Sequence, residues 1–297
     1  MLAELATEII PRSNTLSIQR VLPHVLCPEC RSASFKMYAD GSTELSVLTH
    51  GVIVCQSCHH CIRFEDGILE VLKEKPDHLS PAQRSNFFLP VAAGYQKCWR
   101  TWCMHMMCGT SFPNEKEAAL LISSLQLSSL PSSGIILDLG TSHGFYAVAI
   151  AQALERMQSD ALVLAIDISK LMLQRAVQRA EEAGVLHRII FILGDAEALP
   201  LADSTVCRVV SGGSLNEFTR PDVAMSEAAR TTQTDALFFN MFLHRTSWTA
   251  PLLSMIATLS GLHFHTSDTY NALFEKNGWR MDLAETHGIV TFARLKK

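Results

Sequence analysis

The eleven residues from Ile135 to Phe145 place the tightest constraint on the fold of this 297-residue chain. An apolar run ends in Asp138, passes through Gly140 and Gly144, and enters an alanine-rich apolar segment. That order predicts a buried parallel strand, a tight turn and then a helix. The glycines let the backbone approach a ligand closely, and the free N–H groups of the helix start point at it. The segment therefore predicts an α/β sheet that holds a ligand at this turn.

The turn is not a standard nucleotide fingerprint. Ser142 stands where a dinucleotide-binding G-x-G-x-x-G motif has its second glycine. The turn also lacks the Lys-Ser/Thr pair with which a P-loop grips a triphosphate. On this segment alone, an ordinary strand–turn–helix corner without a ligand stays open.

The next segment narrows the choice of ligand. Residues 162–166 predict a second buried strand, and Asp167 closes it. An acidic side chain at this position can accept hydrogen bonds from both hydroxyls of a ribose. Ser169 is a suitable N-cap for the helix that follows, and Gly184 lies where that helix should end.

With further strands predicted over 188–193 and 206–210, these segments resemble the class I S-adenosylmethionine-dependent methyltransferases, in particular the UbiE-like group. The resemblance covers residues 85–297 and rests on DLGTSHG at 138–144, GDAEALPLAD at 194–203 and SGGSLNEF at 211–218. It implies a Rossmann-like α/β fold, with a seven-stranded sheet and helices on both faces. The cofactor-binding residues it implies are Tyr95, Asp138, Gly140, Thr141, Ser142, Gly144, Asp167, Ile168, Met172, Asp195, Ala196, Gly213 and Ser214.

Methyl transfer from a sulfonium depends mainly on aligning nucleophile, methyl carbon and sulfur. A general base is needed only where the nucleophile carries a proton that must leave. Position in the motifs makes Glu217 and His244 the first candidates for that base, with plain helix-capping or surface roles left open. The residues predicted to contact the substrate are Trp99, Tyr146, Asn216, Trp248 and His265.

Aromatic residues upstream of the sheet follow helical spacing. Tyr95, Trp99 and Trp102 fall on one helix face, where the resemblance implies a helix that covers the cofactor. An aromatic stripe packed on the core explains the same pattern. We predict a linker with covering helices over 76–130 and the methyltransferase domain over 131–297, with a substrate-pocket insertion near 244–275.

Two Cys-x-x-Cys pairs lie in the N-terminal segment. Cys27 with Cys30 and Cys55 with Cys58 have the spacing of a tetrahedral four-sulfur zinc site, which predicts a structural zinc-ribbon module over 1–75. Cys61 also follows Cys58 by three residues, so either could complete the site. Unligated core cysteines remain an alternative. A small module of this kind depends on its metal for much of its folding free energy.

A zinc ribbon joined to a methyltransferase resembles two groups: ribosomal RNA guanine methyltransferases of the RlmA type, and cyanobacterial and plastid relatives. Charge distinguishes their substrates, because a protein that binds RNA needs cationic residues to neutralise phosphates. Residues 1–75 carry seven Lys and Arg against nine Asp and Glu, and the whole chain has a net charge of −4. A nucleic-acid partner is therefore disfavoured, although a local basic patch stays possible.

The sequence thus predicts a methyltransferase acting on an O, N or C atom of a hydrophobic small molecule, in specialised metabolism. An RNA base methyltransferase and a non-catalytic cofactor-binding protein are the alternatives. No apolar run is long enough to span a membrane, and nine cysteines, mostly in knuckle spacing, indicate the reducing cytoplasm. The sequence does not indicate the oligomeric state.

Overall fold

The computed structural model describes residues 15–39, 50–72, 76, 79–85, 87 and 100–297. Its eleven strands form one mixed sheet, in the order β1-β2-β3-β4-β7-β6-β5-β8-β9-β11-β10. The strands are β1 Phe35–Ala39, β2 His50–Cys55, β3 Cys61–Glu65, β4 Ile68–Glu70, β5 Ile135–Leu139, β6 Leu162–Asp167, β7 Ile189–Leu193, β8 Val206–Gly212, β9 Thr232–Leu243, β10 Arg280–His287 and β11 Val290–Lys296.

The predicted seven-stranded core is confirmed by strands β5 to β11. Strands β5, β6, β7, β8 and β9 run parallel, and β11 lies antiparallel between β9 and β10. Every residue of β5 is buried, as is every residue of β6 except Asp167. A parallel strand covered on both faces needs such a continuous apolar run, which is why the pattern was readable from sequence.

Helices cover both faces of the sheet, as predicted. One face packs against α1, α7 and α9, and the other against α3, α4, α5 and α6. The helices are α1 Thr15–Val21, α2 Pro81–Ser85, α3 Arg100–Cys108, α4 Asn114–Leu125, α5 Phe145–Arg156, α6 Lys170–Glu182, α7 Pro221–Thr231, α8 Ala250–Ser260 and α9 Ser267–Lys276. Within the ranges described, none of the helices has the length and apolar character needed to cross a bilayer.

The N-terminal strands do not form a separate sheet. β4 pairs in parallel with β7, so the hairpins β1 to β4 continue the methyltransferase-type sheet at its β7 edge. Lys170, at the start of α6, adds an ion pair to Glu70 of β4 at 2.5 Å and another to Glu65 of β3 at 2.9 Å. The strands of the predicted 1–75 module therefore share one sheet with the larger domain.

Candidate functional site

Two clefts flank the turn between β5 and α5. The first, of about 420 Å³, is called here the Asp167 cleft, and the second, of about 310 Å³, the Tyr146 cleft. Both include Gly140 in their walls. The Asp167 cleft is lined by Gln83, Gly140, Ile166, Asp167, Ile168, Gly194, Asp195, Ala196, Ser214, Glu217 and Phe218. The Tyr146 cleft is lined by Asp138, Gly140, Thr141, Ser142, His143, Phe145, Tyr146 and Gly212.

The β5–α5 turn has the backbone that its glycines predict. Gly140 has φ +70°, and a Cβ added there would lie 2.4 Å from the Ser214 hydroxyl oxygen. Ser142 adopts φ +50° in place of a glycine. Its N–H donates to the Asp167 carboxylate at 2.8 Å, which stabilises this uncommon conformation for a residue with a side chain. Gly144, at φ +78°, lets α5 approach Ala176 of α6.

Two buried carboxyl groups shape the electrostatics of the turn. Asp138 accepts the Thr141 hydroxyl at 2.6 Å and the Ala147 N–H at 3.1 Å. Burial nevertheless raises the pKa of Asp138 to about 7. Burial likewise raises the pKa of Asp167 to about 6, although the N–H groups of Ser169 and Ser142 favour its charged form. Both groups therefore change charge close to neutral pH.

The loop after β7 supplies the opposite wall of the Asp167 cleft. Asp195 and Ala196 line the cleft, and Asp195 accepts the Glu197 N–H at 2.8 Å. Glu227 on α7 accepts the Leu199 N–H at 2.9 Å. Arg230, one turn further, donates to the Leu201 carbonyl at 2.8 Å and pairs with Glu227. Glu227 and Arg230 of α7 thus hold this loop in place.

The predicted cofactor residues divide into lining and supporting groups. Ile168 and Ser214 line the Asp167 cleft with Asp195 and Ala196. Met172 is buried beneath the turn, with its sulfur 3.8 Å from the Ser142 hydroxyl. Gly213, at φ +86°, orients the following Ser214. Tyr95 and Trp99 lie outside the described residues, whereas Trp102, the third aromatic residue of the predicted covering helix, belongs to α3.

Glu217 lines the Asp167 cleft, whereas His244 lines neither cleft. The His244 Nδ1 lies 3.1 Å from the Thr291 hydroxyl, and burial lowers the pKa of this histidine. This geometry places His244 in the packing of β9 against β11. The sequence could not show this, because it gives no distance between the end of β9 and the clefts.

Asn216 is buried and its side chain is fully engaged by the protein. Its Nδ2 contacts the carbonyls of Leu243 and His263 and the Tyr270 hydroxyl, and its Oδ1 accepts the Leu243 N–H. Its polar atoms therefore join the end of β9 to the α8–α9 connection, and a contact between Asn216 and substrate stays a prediction.

Trp248 and His265 are the two predicted substrate residues in the 244–275 insertion. Neither of them lines a cleft. The Trp248 side chain is 90% exposed. The His265 ring lies against that of His263, with centroids 5.7 Å apart, and burial lowers the pKa of His265. Of the predicted substrate residues within the described ranges, Tyr146 lines a cleft.

Two residues near the clefts were missed from the sequence. Gln83 of α2 lines the Asp167 cleft, and its Oε1 accepts the Ser80 N–H and the Thr219 hydroxyl. Glu117 of α4 accepts the Tyr146 hydroxyl at 2.7 Å behind the Tyr146 cleft. No motif marks either residue, because both reach the clefts through contacts between segments distant in sequence.

A four-cysteine cluster lies in the N-terminal hairpins. The ligand sulfurs of Cys27, Cys30, Cys55 and Cys58 all lie within 4.8 Å of one another. Two of the pairs, Cys27 with Cys58 and Cys30 with Cys55, are 3.6 Å apart. Sulfurs bound to one tetrahedral zinc ion at about 2.3 Å lie about 3.8 Å apart, so the spacing fits such an ion. Cys61 is outside the cluster, with its sulfur directed at the His59 carbonyl.

The cysteine cluster is joined to the loop that lines the Asp167 cleft. The Leu26 N–H donates to the Pro200 carbonyl, and the Ala202 N–H donates to the His24 carbonyl, both at 2.9 Å. Val25 and Leu201 form the antiparallel bridge between these two bonds. The first cysteine pair therefore begins immediately after a backbone contact with the cleft wall.

Comparison with known proteins agrees with this fold and these motifs. Residues 136–235 match the family described as methyltransferase domain. A 77-residue stretch is 42% identical to the ubiquinone/menaquinone biosynthesis C-methyltransferase UbiE of Acidiphilium cryptum, covering 26% of this chain and 31% of that protein. A 108-residue stretch is 31% identical to demethylmenaquinone methyltransferase of Roseiflexus castenholzii, covering 36% and 42%. The matches thus span less than half the length of either relative.

Solved structures share the fold at low sequence identity. The (4+2)-cyclase SpnF superposes with a TM-score of 0.55 at 15% identity, covering 74% of this chain and 96% of that one. Geranyl diphosphate C-methyltransferase of Streptomyces coelicolor superposes with a TM-score of 0.52 at 12% identity, covering 61% and 78%. Residues 136–235 are therefore similar in sequence to methyltransferase domains, and the chain shares its fold with these solved structures.

Proposed function

We propose that this protein is an S-adenosylmethionine-dependent methyltransferase whose acceptor is a hydrophobic small molecule. The observation that carries the proposal is Asp167, a carboxylate at the carboxyl end of β6 that lines a cleft shared with Gly140 and Asp195. Parallel α/β sheets bind nucleotides at this edge, and a carboxylate here suits a ribose diol.

The residues present fit the adenosyl cofactor. Asp167 would accept the ribose hydroxyls, and Asp195 and the Ala196 N–H would face the adenine ring. The turn containing Gly140 and Ser142 would hold the amino-acid half, because Gly140 lines both clefts and Ser142 lines the Tyr146 cleft. When bound, the cofactor supplies an activated methyl group on a positively charged sulfur. The chain supplies alignment and exclusion of water.

Glu217 is our proposed general base for acceptors that carry a proton. It lies in the Asp167 cleft, next to Phe218 and close to Ser214. The Ser80 hydroxyl donates to the Glu217 backbone carbonyl at 3.2 Å, which fixes the backbone beside α2. An acceptor without an acidic proton would need no such base.

A hydrophobic acceptor is supported by charge, by surface and by the relatives. The chain has a net charge of −4, which disfavours RNA. Helix α8 contains no charged residue and exposes Leu252, Met255 and Leu259. Gly261 after α8 packs against Pro81 of α2, the helix that carries Gln83 into the Asp167 cleft. One relative is named for ubiquinone and menaquinone biosynthesis, and another is named as a demethylmenaquinone methyltransferase.

The four-cysteine cluster is our proposed structural zinc site. All four ligands come from the protein and none of the described carboxylates or histidines joins them, so the set leaves no open position for catalysis. Burial opposes ionisation of Cys55, but hydrogen bonds from the N–H groups of Cys58 and Ser57 and from the Cys30 and Cys58 thiols together lower the pKa of this thiol to about 6. In the absence of metal, burial and the neighbouring thiols raise the pKa values of Cys30 and Cys58, so the cluster shares its ionisation unevenly. Thiolates are the form that zinc binds.

Calorimetry with S-adenosylhomocysteine tests cofactor binding. Wild type should bind, and Asp167→Ala should weaken binding at least tenfold, because a carboxylate that accepts two hydrogen bonds is lost. Asp160→Ala, in an exposed turn, is the matched control and should bind like wild type. Absence of binding by wild type, or equal binding by the Asp167 and Asp160 variants, contradicts the proposal.

The fold alone does not decide the reaction, since a (4+2)-cyclase shares it. Incubation with methyl-labelled cofactor, against total RNA and an organic extract of cells, separates the possibilities. Label in the organic extract supports the proposal. Label in RNA would indicate a nucleic-acid methyltransferase, and binding without transfer to any fraction would indicate a non-catalytic cofactor-binding protein.

A further inference from the structure

The Tyr146 cleft has a buried acid–phenol pair in its wall. The Tyr146 hydroxyl donates to the Glu117 carboxylate at 2.7 Å, and both residues are at least 96% buried. The donated proton leaves the lone pairs of the phenol oxygen as acceptors, and the adjoining carboxylate makes that oxygen more negative. The pair therefore presents a better acceptor for a cation than a phenol alone.

Close packing fixes this pair in position. A Cβ added at Gly212 would lie 2.7 Å from the Tyr146 ring, so the end of β8 must be a glycine for the ring to lie there. The ring also packs edge-on against Phe239, with centroids 5.7 Å apart. The orientation of the hydroxyl is thus set by the sheet and not by a mobile loop.

The charges around this cleft favour a positive ligand. Among the residues that the structure describes, Asp138 lines it and no lysine or arginine does. Lys116, next to Glu117, points to the Phe112 ring and Glu285 at the surface. The Arg179 guanidinium lies 5.9 Å from the Phe145 ring centroid without lining the cleft. His143 also lines the cleft.

We propose that the Tyr146–Glu117 pair selects the cofactor by the positive charge of its methionine half. This inference rests on the proposed function and adds a specificity determinant to it. S-Adenosylmethionine carries a sulfonium, an ammonium and a carboxylate group, S-adenosylhomocysteine carries the ammonium and the carboxylate, and 5′-methylthioadenosine carries none of these groups. The contribution of the pair to binding therefore falls in that order, from the largest for S-adenosylmethionine to none for methylthioadenosine.

The test compares the dissociation constants of these three ligands at pH 8. Glu117→Gln keeps an acceptor for the Tyr146 hydroxyl and removes the charge, so binding of S-adenosylmethionine should weaken about tenfold. Binding of methylthioadenosine should change less than twofold, with S-adenosylhomocysteine between the two. Glu285→Gln, at the surface, makes the same charge change away from the cleft and should leave all three constants unchanged.

The double variant Tyr146→Phe/Glu117→Gln provides a second measurement. It removes the Tyr146 hydroxyl and the Glu117 charge together, so the loss of the hydroxyl does not take a donor away from a buried carboxylate. The inference is overturned if, in each variant that unfolds like wild type, binding of all three ligands weakens equally or does not change. The proposed function would still stand in that case. If wild type binds none of the three ligands, the proposed function itself fails. The two failures are therefore distinguishable.

Discussion

The Ser214 hydroxyl donates a hydrogen bond to the Gly140 carbonyl at 3.0 Å, and so connects the end of β8 to the turn after β5. The same hydroxyl oxygen occupies the space into which a side chain at Gly140 would project. This contact lies where the two clefts meet. The absence of a Cβ at Gly140 is therefore required by the protein itself as well as by any ligand.

We expect Gly140→Ala to cost about 1–3 kcal/mol of stability, from a left-handed φ and from displacement of Ser214, and to weaken binding of S-adenosylhomocysteine. Gly184→Ala is the matched control. Gly184 has nearly the same φ, +69°, but an added Cβ there meets no atom within 4 Å. Urea unfolding and calorimetry on both variants separate backbone strain from the clash. Equal ligand affinities in the two variants would contradict this explanation.

Asp138→Asn should remove a pH dependence of stability. The folded-state pKa of about 7 lies above the ordinary value, so the contribution of Asp138 is complete below about pH 4 and is lost as pH rises through 7. Asn can still accept both bonds, since Thr141 and Ala147 donate to the same oxygen. At pH 8 we expect the free energy of unfolding of the variant to exceed that of wild type by up to about 4 kcal/mol.

Urea unfolding without ligand, at intervals from pH 5 to pH 8, measures this difference. The gap between Asp138→Asn and wild type should narrow steadily towards pH 5. Asp160→Asn, in an exposed turn, should track wild type throughout. A gap that stays constant with pH would show that ionisation of Asp138 does not cause it.

Cys27→Ser should lower both metal content and cofactor affinity. Loss of one of four thiolates weakens a structural zinc site, and Leu26 beside it donates to Pro200 in the loop of the Asp167 cleft. We expect bound zinc to fall well below one per chain and binding of S-adenosylhomocysteine to weaken about fivefold. Cys61→Ser should retain full zinc. Metal analysis by mass spectrometry decides the ligand set, and full zinc in Cys27→Ser would refute it.

Asn216→Ala should destabilise the fold by about 2–4 kcal/mol, because it leaves buried carbonyls of Leu243 and His263 with fewer donors. Tyr270→Phe is the milder comparison, since its hydroxyl contacts the same two carbonyls. The affinity of folded Asn216→Ala for S-adenosylhomocysteine should match that of wild type. If the unfolding midpoint is unchanged and methyl transfer is lost, the result would contradict this structural role and support the predicted contact of Asn216 with substrate.

Local sequence patterns were sufficient to predict the β5–α5 turn and the carboxylate at the end of β6. The apolar run before Asp138, the two glycines and the acid at 167 each act within one strand or turn, so sequence spacing predicts their places. The N-cap of α6 is a similar case, since Ser169 accepts the Met172 N–H as predicted. Such features depend on neighbouring residues and not on the tertiary fold.

Long-range contacts explain what the sequence could not predict. Glu117 meets Tyr146 through packing of α4 on α5. Ile68 pairs with Phe191, although strands β5 and β6 lie between these two residues in the sequence. Trp248 was expected to line a pocket, but α8 buries Leu253 and leaves Trp248 in solvent. Aromatic composition does not reveal which side of a segment the rest of the chain will cover.

The pairing of β4 with β7 also bears on how this protein can be shortened. Strand β7, Ile189–Leu193, is entirely apolar and would become a free sheet edge if residues 1–75 were deleted. An exposed apolar edge is a template for intermolecular strand addition. A truncated catalytic domain should therefore aggregate, and studies that seek a smaller enzyme should keep the hairpin that ends at Glu70.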